Sequence, residues 1–295
     1  MSTPAHHNAL HPVEVATAGL TIRGFSISGL ATWFVIPELD VMFDAGECPV
    51  EAIGVNNVFL SHGHPDHSNG LLRHWQLRQM MGMGKATYFV PAGTIDGLGA
   101  RVRAEALLGA EEEPVFAEHF PQMVVVPTDR SRGKFKRGLW IEAFPVEHRS
   151  PSVGYTVGRT VQKLKPDFVG LRGDEIGTLR RNGTVVTDEV STPLVTFIGD
   201  CTGASLAANK HIFDSKVVII ECTHVDDDQQ ERTAKYGHTH LRDIVAVLSS
   251  FDPPEACEAV ILKHFSLKEH PDHIRERVTA LTPPAWASRV KVFLP

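Results

Sequence analysis

The chain has 295 residues, 42% hydrophobic and 22% charged, the composition of a globular protein with material for one large domain. Its net charge of −6 excludes a protein coated in basic charge for nucleic acid, though not a local basic patch. No apolar run approaches the ~20 residues that a membrane span needs, so no membrane association is expected.

Residues 1–17, opening MSTPAHHNALHPVE, have neither a basic start nor an apolar core. They are expected to be a frayed tail and not a secretory signal. Apolar runs bounded by Gly, Pro or polar clusters predict strands at 33–43, 58–60, 87–91, 123–127, 140–146, 194–198, 216–220 and 259–262. Helical patterning falls at about 69–81, 97–108, 202–209, 238–250 and 271–280. This strand-rich order with interspersed helices predicts an α/β or α+β class. With no boundary in view, one domain is expected over 1–295. Cys48, Cys201, Cys222 and Cys257 are far apart and form no CxxC pair, which fits reduced thiols in a cytoplasmic protein. Dense positive charge occurs at 130–137 (RSRGKFKR) and 163–181 (KLKPDFVGLRGDEIGTLRR); the ordinary reading of either run is a solvated loop.

The chemistry gathers where strands end. The run VFL leads into HGHPDH, which is His62, His64, Asp66 and His67. Asp44 follows DVMF, His148 follows WIEAFPV, Asp200 follows LVTFI, Glu221 follows KVVII and His264 follows AVIL. Strand ends are rigid and the loops leaving them carry function, so these strands are expected to deliver side chains to one shared edge. Imidazole and carboxylate suit zinc, manganese or iron. On an extended backbone His62 and His64 face one ion, while Asp66 and His67, at the start of the next segment, face a second. His148, Asp200 and His264 complete the two sets, with Asp200 shared. A lone surface histidine is usually only that, but HxHxDH between a strand and a helix calls for metal.

These residues resemble the metallo-β-lactamase superfamily of metal-dependent hydrolases. That resemblance implies a four-layer αβ/βα sandwich with the metals at one edge of the two sheets. From about residue 18 onward the chain further resembles ribonuclease Z in its short, plant-like form: IIECTH with Glu221, KYGHTH with His238, ILKHFS with His264, and RSPSVGY after His148. It departs from the family in reading Gly199-Asp200-Cys201-Thr202 and in having Leu267, Lys268 and Glu269 where an Arg-Tyr pair is usual. It also lacks an evident protruding arm, for which only a short insertion at 160–190 could stand in.

The resemblance implies a zinc-dependent endoribonuclease that removes the 3′ trailer of precursor tRNA, with two Zn²⁺ (Mn²⁺ or Fe possible) and a homodimeric assembly. Two ions lower the pKa of a shared water towards ~7 and clamp the phosphate. Asp66 is expected to orient that water. His238 is expected to give the leaving alkoxide its proton, with Glu221 fixing its tautomer. His240 is a weaker competitor for that role. Asp44 is expected to bond a ligand imidazole, and Ser152 and Tyr155 to line the pocket, while Trp75 belongs to the core or an interface. The two basic runs are the expected RNA contacts. A small-molecule phosphodiesterase, lactonase or thioester hydrolase on the same fold is the alternative; a metal-loaded binding protein is a more distant one.

Overall fold

The computed structural model describes residues 10–108 and 121–295. One sheet contains, side by side, β1 (Val13–Thr17), β2 (Leu20–Ser28), β3 (Ala31–Ile36), β4 (Val41–Phe43), β5 (Asn57–Phe59), β6 (Thr87–Val90) and β7 (Gln122–Val125). The other is built from β8 (Gly133–Lys136), β9 (Leu139–Val146), β10 (Ser152–Leu164), β11 (Thr187–Ile198), β12 (Val217–Glu221), β13 (Ala259–Lys263) and β15 (Val290–Val292), in the order β15-β13-β12-β11-β10-β9-β8. β14 (Phe265–Ser266) leaves this second sheet and pairs with β2 of the first.

Period-two alternation sets the layers. In β12, Val217 and Ile219 enter the cluster between the sheets, while Val218 and Ile220 enter a second cluster with helix Leu241–Leu248 and helix Pro271–Leu281. Both faces are buried, which is why the strand reads as a continuous apolar run. On the far side of the first sheet, Trp33, Val35 and Val58 pack against Leu71 and Trp75 of helix Gly70–Met80 and Leu98 and Val102 of helix Ile95–Leu108. Three apolar clusters therefore separate four layers, the expected αβ/βα sandwich. Trp75 lies in the core. Between the sheets, Phe43 and Phe197 stack at 4.9 Å and Phe59 and Phe89 at 4.4 Å.

Some expectations change. Val13–Thr17, expected to belong to a frayed tail, is strand β1 paired with β2; residues 1–9 lie outside the described residues. The run 33–43 is two strands, because Pro37–Leu39 forms a 3₁₀ turn that ends on Asp40 with φ 56°. Within 160–190, β10 and β11 pair as far out as Leu164 and Thr187, and the connection 165–186 between them carries helix Gly173–Arg181. Helix Leu241–Leu248 starts three residues after His238, which lies in the loop before it. No helix of the described residues is long and apolar enough to cross a membrane.

Phe197 links the two sheets and is fully buried. Phe197→Ala is expected to lower unfolding stability by about 3–5 kcal/mol. Urea unfolding measures this, and a loss below about 1 kcal/mol would show that the sheets do not depend on this contact.

Candidate metal centre and active site

The ends of β4, β5, β9, β11, β12 and β13 meet at one edge of the sandwich. There the structure brings together all seven predicted ligands and both partners of the predicted acid pair. His62 Nε2 lies 3.1 Å from His64 Nδ1, and His148 Nε2 lies 3.2 Å from the same nitrogen. His67 Nε2 is 3.3 Å from His264 Nε2 and 3.2 Å from Asp200 Oδ1. Asp66 Oδ2 is 3.5 Å from His264 Nε2 and accepts the Gly29 N–H at 2.9 Å. Asp200 turns Oδ2 towards His62, at 3.8 Å, and Oδ1 towards His67 and His264.

This donor set fits two metal ions. Ligand atoms ~2.0–2.1 Å from a tetrahedral ion stand roughly 3.3 Å apart, and that is the spacing of these nitrogens. Within each set all donor atoms lie within 4.8 Å of one another. Asp200 Oδ1 is buried without a hydrogen-bond partner, an expensive state for a carboxylate oxygen unless a cation satisfies it. Charge points the same way. Burial opposes a proton on His67, yet Asp200 and Asp44 outweigh it and raise the imidazole to about 10; the surroundings ask for positive charge. Burial and neighbouring imidazoles push His62 far down, so it stays neutral, as a ligand must. Burial raises the Asp66 carboxyl, but His264 and His67 prevail and hold it below the usual carboxylate range.

Ring orientation is set one bond further out. His67 Nδ1–H donates to Asp44 Oδ2 at 2.7 Å. Ser61 Oγ donates to Asp44 at 2.9 Å and is 3.1 Å from His62 Nδ1, positioned to accept its proton. Glu221 repeats the arrangement: it faces His238 Nδ1 at 3.3 Å and accepts from Thr223 Oγ1 at 2.6 Å, which is 3.3 Å from His264 Nδ1. His148 Nδ1–H donates to the Gly237 carbonyl at 2.7 Å. Each bond places the proton on Nδ1 and leaves a lone pair on Nε2 facing the cluster, with His238 instead free to carry a second proton there. Burial depresses His238, but Glu221 and Asp200 outweigh it and raise it to about 9.

Backbone strain is concentrated here as well. His264 is the single residue between β13 of one sheet and β14, which joins the other; its φ of 67° makes that crossing. Asp44, directly after β4, has φ 53°. Non-glycine residues in this region cost on the order of 1–3 kcal/mol and persist where the surroundings enforce them. Gly199 is required by close approach, since a Cβ there would collide with Ser61 Oγ.

Other side chains lie away from the centre. His240 is buried, takes the Arg242 N–H on Nδ1 at 3.0 Å and gives Nε2–H to the Asp226 carbonyl at 2.9 Å. It caps a helix and has no proton to offer the site. Tyr155 is core, donating to the Leu60 carbonyl at 3.0 Å, and Ser152 Oγ donates to the Asp200 carbonyl at 3.2 Å; neither lines the pocket. The run 130–137 flanks the start of β9, whose Ile141 is seven residues, roughly 23 Å, from His148. Three of its cations already face acids: Arg130 and Arg132 contact Glu142, and Lys136 contacts Asp40. The run 163–181 begins at the outer end of β10, roughly 40 Å along the strand from Ser152.

Positive charge beside the centre comes from Arg149 and Arg232, which the sequence did not single out, and from Lys268, which stood out only as a departure from the family pattern. A cavity of about 360 Å³ opens onto His64, His148 and His238, and Arg149, Arg232 and Lys268 stand on its wall. Among the described residues these three cations have no ion-pair partner. Each has a glutamate close by in the chain (Glu147, Glu231 and Glu269), so no run of positive charge marks it in the sequence.

Residues 44–265 match the family model of the beta-lactamase superfamily domain. The chain is similar to tRNase Z TRZ1 of Arabidopsis thaliana, 32% identical over 269 residues that cover 90% of this chain and 92% of that protein. Among solved structures it is similar to the metallo-beta-lactamase fold protein YhfI from Bacillus subtilis, with a TM-score of 0.57, 13% identity and coverage of 96% and 97% of the two chains. Human tRNase Z, short form, gives 0.51, 16%, 95% and 92%. At these identities the structural likeness speaks for the fold.

Asp44→Asn keeps the size of the side chain but removes the charge that holds His67 and, through Ser61, His62. It is expected to weaken metal binding about 10- to 100-fold, read by competition with a chromogenic chelator. Unchanged affinity would mean that Asp44 does not orient the ligands.

Proposed function

We propose, from the premise that the chain belongs to the beta-lactamase superfamily and within it to the tRNase Z family, that it is an endoribonuclease that cuts the 3′ trailer from precursor tRNA. The observation that carries this reading is the Glu221–His238 pair, set 3.3 Å apart beside the His/Asp cluster and opening to the cavity. A phosphodiester's leaving group is a sugar oxygen of high pKa, and a protonated imidazole held by a buried carboxylate is suited to supply its proton.

The residues divide the work. His62, His64 and His148 would hold one ion, Asp66, His67 and His264 the other, and Asp200 both. When bound, the two ions supply the positive charge that activates water and balances the phosphate oxygens. Asp66 stays ionised and can accept a hydrogen bond from the attacking water. Glu221 keeps His238 protonated on Nδ1, and His238 Nε2–H gives its proton to the departing oxygen. Arg149, Arg232 and Lys268 draw the phosphate backbone to a chain whose net charge is −6. Imidazole and carboxylate donors favour zinc, and we propose zinc, with manganese or iron accepted by the same set. A homodimer is part of the proposal, since a second copy would extend the surface available to a folded RNA. So is a cytoplasmic location, in keeping with four unpaired cysteines.

A 5′-labelled precursor tRNA should be cut once next to the trailer, with chelator abolishing the cut and zinc restoring it. His238→Ala is expected to lower kcat about 10²- to 10⁴-fold without loss of metal. Protein that holds two ions and hydrolyses a small phosphodiester but leaves the precursor whole would hand the function to the small-substrate alternative.

Because the acid must be protonated, activity is present below the His238 pKa and lost as pH rises through it. Glu221→Gln removes the charge that raises this pKa, so the alkaline limb of the kcat profile is expected to move to lower pH. A limb that stays in place would separate Glu221 from the proton donor.

A further inference from the structure

The cavity wall holds an aromatic ring for which the reaction has no use so far. Tyr236 is 43% exposed and stands two residues before His238. Its position is firm. The Tyr236 N–H donates to the Arg232 carbonyl at 3.2 Å, Gly237 N–H to Ala234 at 3.0 Å and His238 N–H to Thr233 at 3.0 Å, closing helix Gln230–Lys235. Gly237, at φ +77°, then turns the chain against the ligand loop; a Cβ there would lie 3.1 Å from His148 Nδ1 and 3.2 Å from Arg149 Cγ. The ring is thus mounted on the wall that carries both a metal-site imidazole and the proton donor.

Two guanidiniums flank it, with Arg149 Cζ 5.7 Å and Arg232 Cζ 5.8 Å from the ring centroid. A packed pair in the same molecule, Arg132 on Trp140, is 4.0 Å apart. At the looser spacing Tyr236 stays partly exposed, and neither arginine has an ion-pair partner among the described residues. An exposed ring between two unpaired cations can stack a nucleobase while the guanidiniums meet the adjoining phosphates.

We propose that Tyr236 stacks the base immediately 5′ of the cut, the base of the nucleotide whose 3′ oxygen leaves, with Arg149 and Arg232 on the phosphates beside it. This rests on the reading of the chain as a nuclease with His238 as proton donor. The direction follows from the leaving oxygen: it belongs to the ribose 5′ of the cut, which His238 must face, and Tyr236, at most about 7 Å away along the chain, is within reach of that ribose's own base. Tyr236 is then a substrate-positioning residue that never touches the reacting atoms.

The test pairs Tyr236→Ala and Tyr236→Phe with precursor RNAs made abasic either 5′ or 3′ of the cut. Metal content and a cooperative melt establish that each variant is folded. Tyr236→Ala is expected to raise KM roughly 5- to 150-fold with little change in kcat, and Tyr236→Phe to stay near wild type. In the wild type, removing the 5′ base should reproduce the loss, and combining it with Tyr236→Ala should add little. A Tyr236→Ala KM equal to wild type, additive losses, or non-additivity with the 3′ base instead would each overturn the assignment. Wild-type protein that holds two ions and leaves the intact precursor uncut would overturn the nuclease reading itself, and the platform with it.

Discussion

Two buried carboxylates, Asp44 and Glu221, organise this protein's active edge. Each holds one imidazole directly and contacts a hydroxyl that stands beside a second: Asp44 reaches His67 and, through Ser61, His62, while Glu221 reaches His238 and, through Thr223, His264. Burying a carboxylate is unfavourable unless its oxygens are filled. Here backbone amides help, Ser61 N–H on Asp44 at 2.7 Å and Cys201 N–H on Glu221 at 2.7 Å. The two acids come from different sheets, so the geometry of the site depends on how the sheets pack. The stacked phenylalanines between them are therefore part of the support of the active edge as well as of the core.

Much of this was legible in the sequence, for a physical reason. Strands buried on both faces read as apolar runs, and a polar residue directly after such a run must either reach water or find a partner. Asp44, His62, His148, Asp200, Glu221 and His264 all stood out on that basis. Gly29, Thr223 and the Gly237 carbonyl did not, because a backbone group or a common hydroxyl has no distinctive spacing. His238 and His240 look equivalent two residues apart, and only the fold shows that one faces the cavity while the other caps a helix. In the basic run 130–137 a sequence counts cations without showing the acids opposite some of them; the acids here, Glu142 and Asp40, come from other strands and turns.

Electrostatics at the edge is uneven. Arg149, Arg232 and Lys268 line the cavity without acidic partners, whereas nearby Arg242 and Arg277 are paired with Asp227. Unneutralised positive charge therefore lies close to the scissile position in a molecule that is acidic overall. Beneath it, Lys263 is fully buried, with Nζ 4.8 Å from the Phe197 ring and no hydrogen-bond partner. A charge held in that way detracts from stability. Together with the left-handed backbone at Asp44 and His264, it loads the active edge with unfavourable features, while the strand interiors supply the stability that holds it in place.

The two donor sets also differ in depth. His64 and His148 form part of the cavity wall, whereas His67 and His264 are fully enclosed and lie outside that lining. A solute arriving through the cavity meets His64 and His148 first; His62 of the same set is enclosed, and Asp66 is the partly exposed member of the second set. Both imidazoles of the second set are enclosed but only one of the three in the first, so an ion held by the second set would be the better shielded from competing solutes.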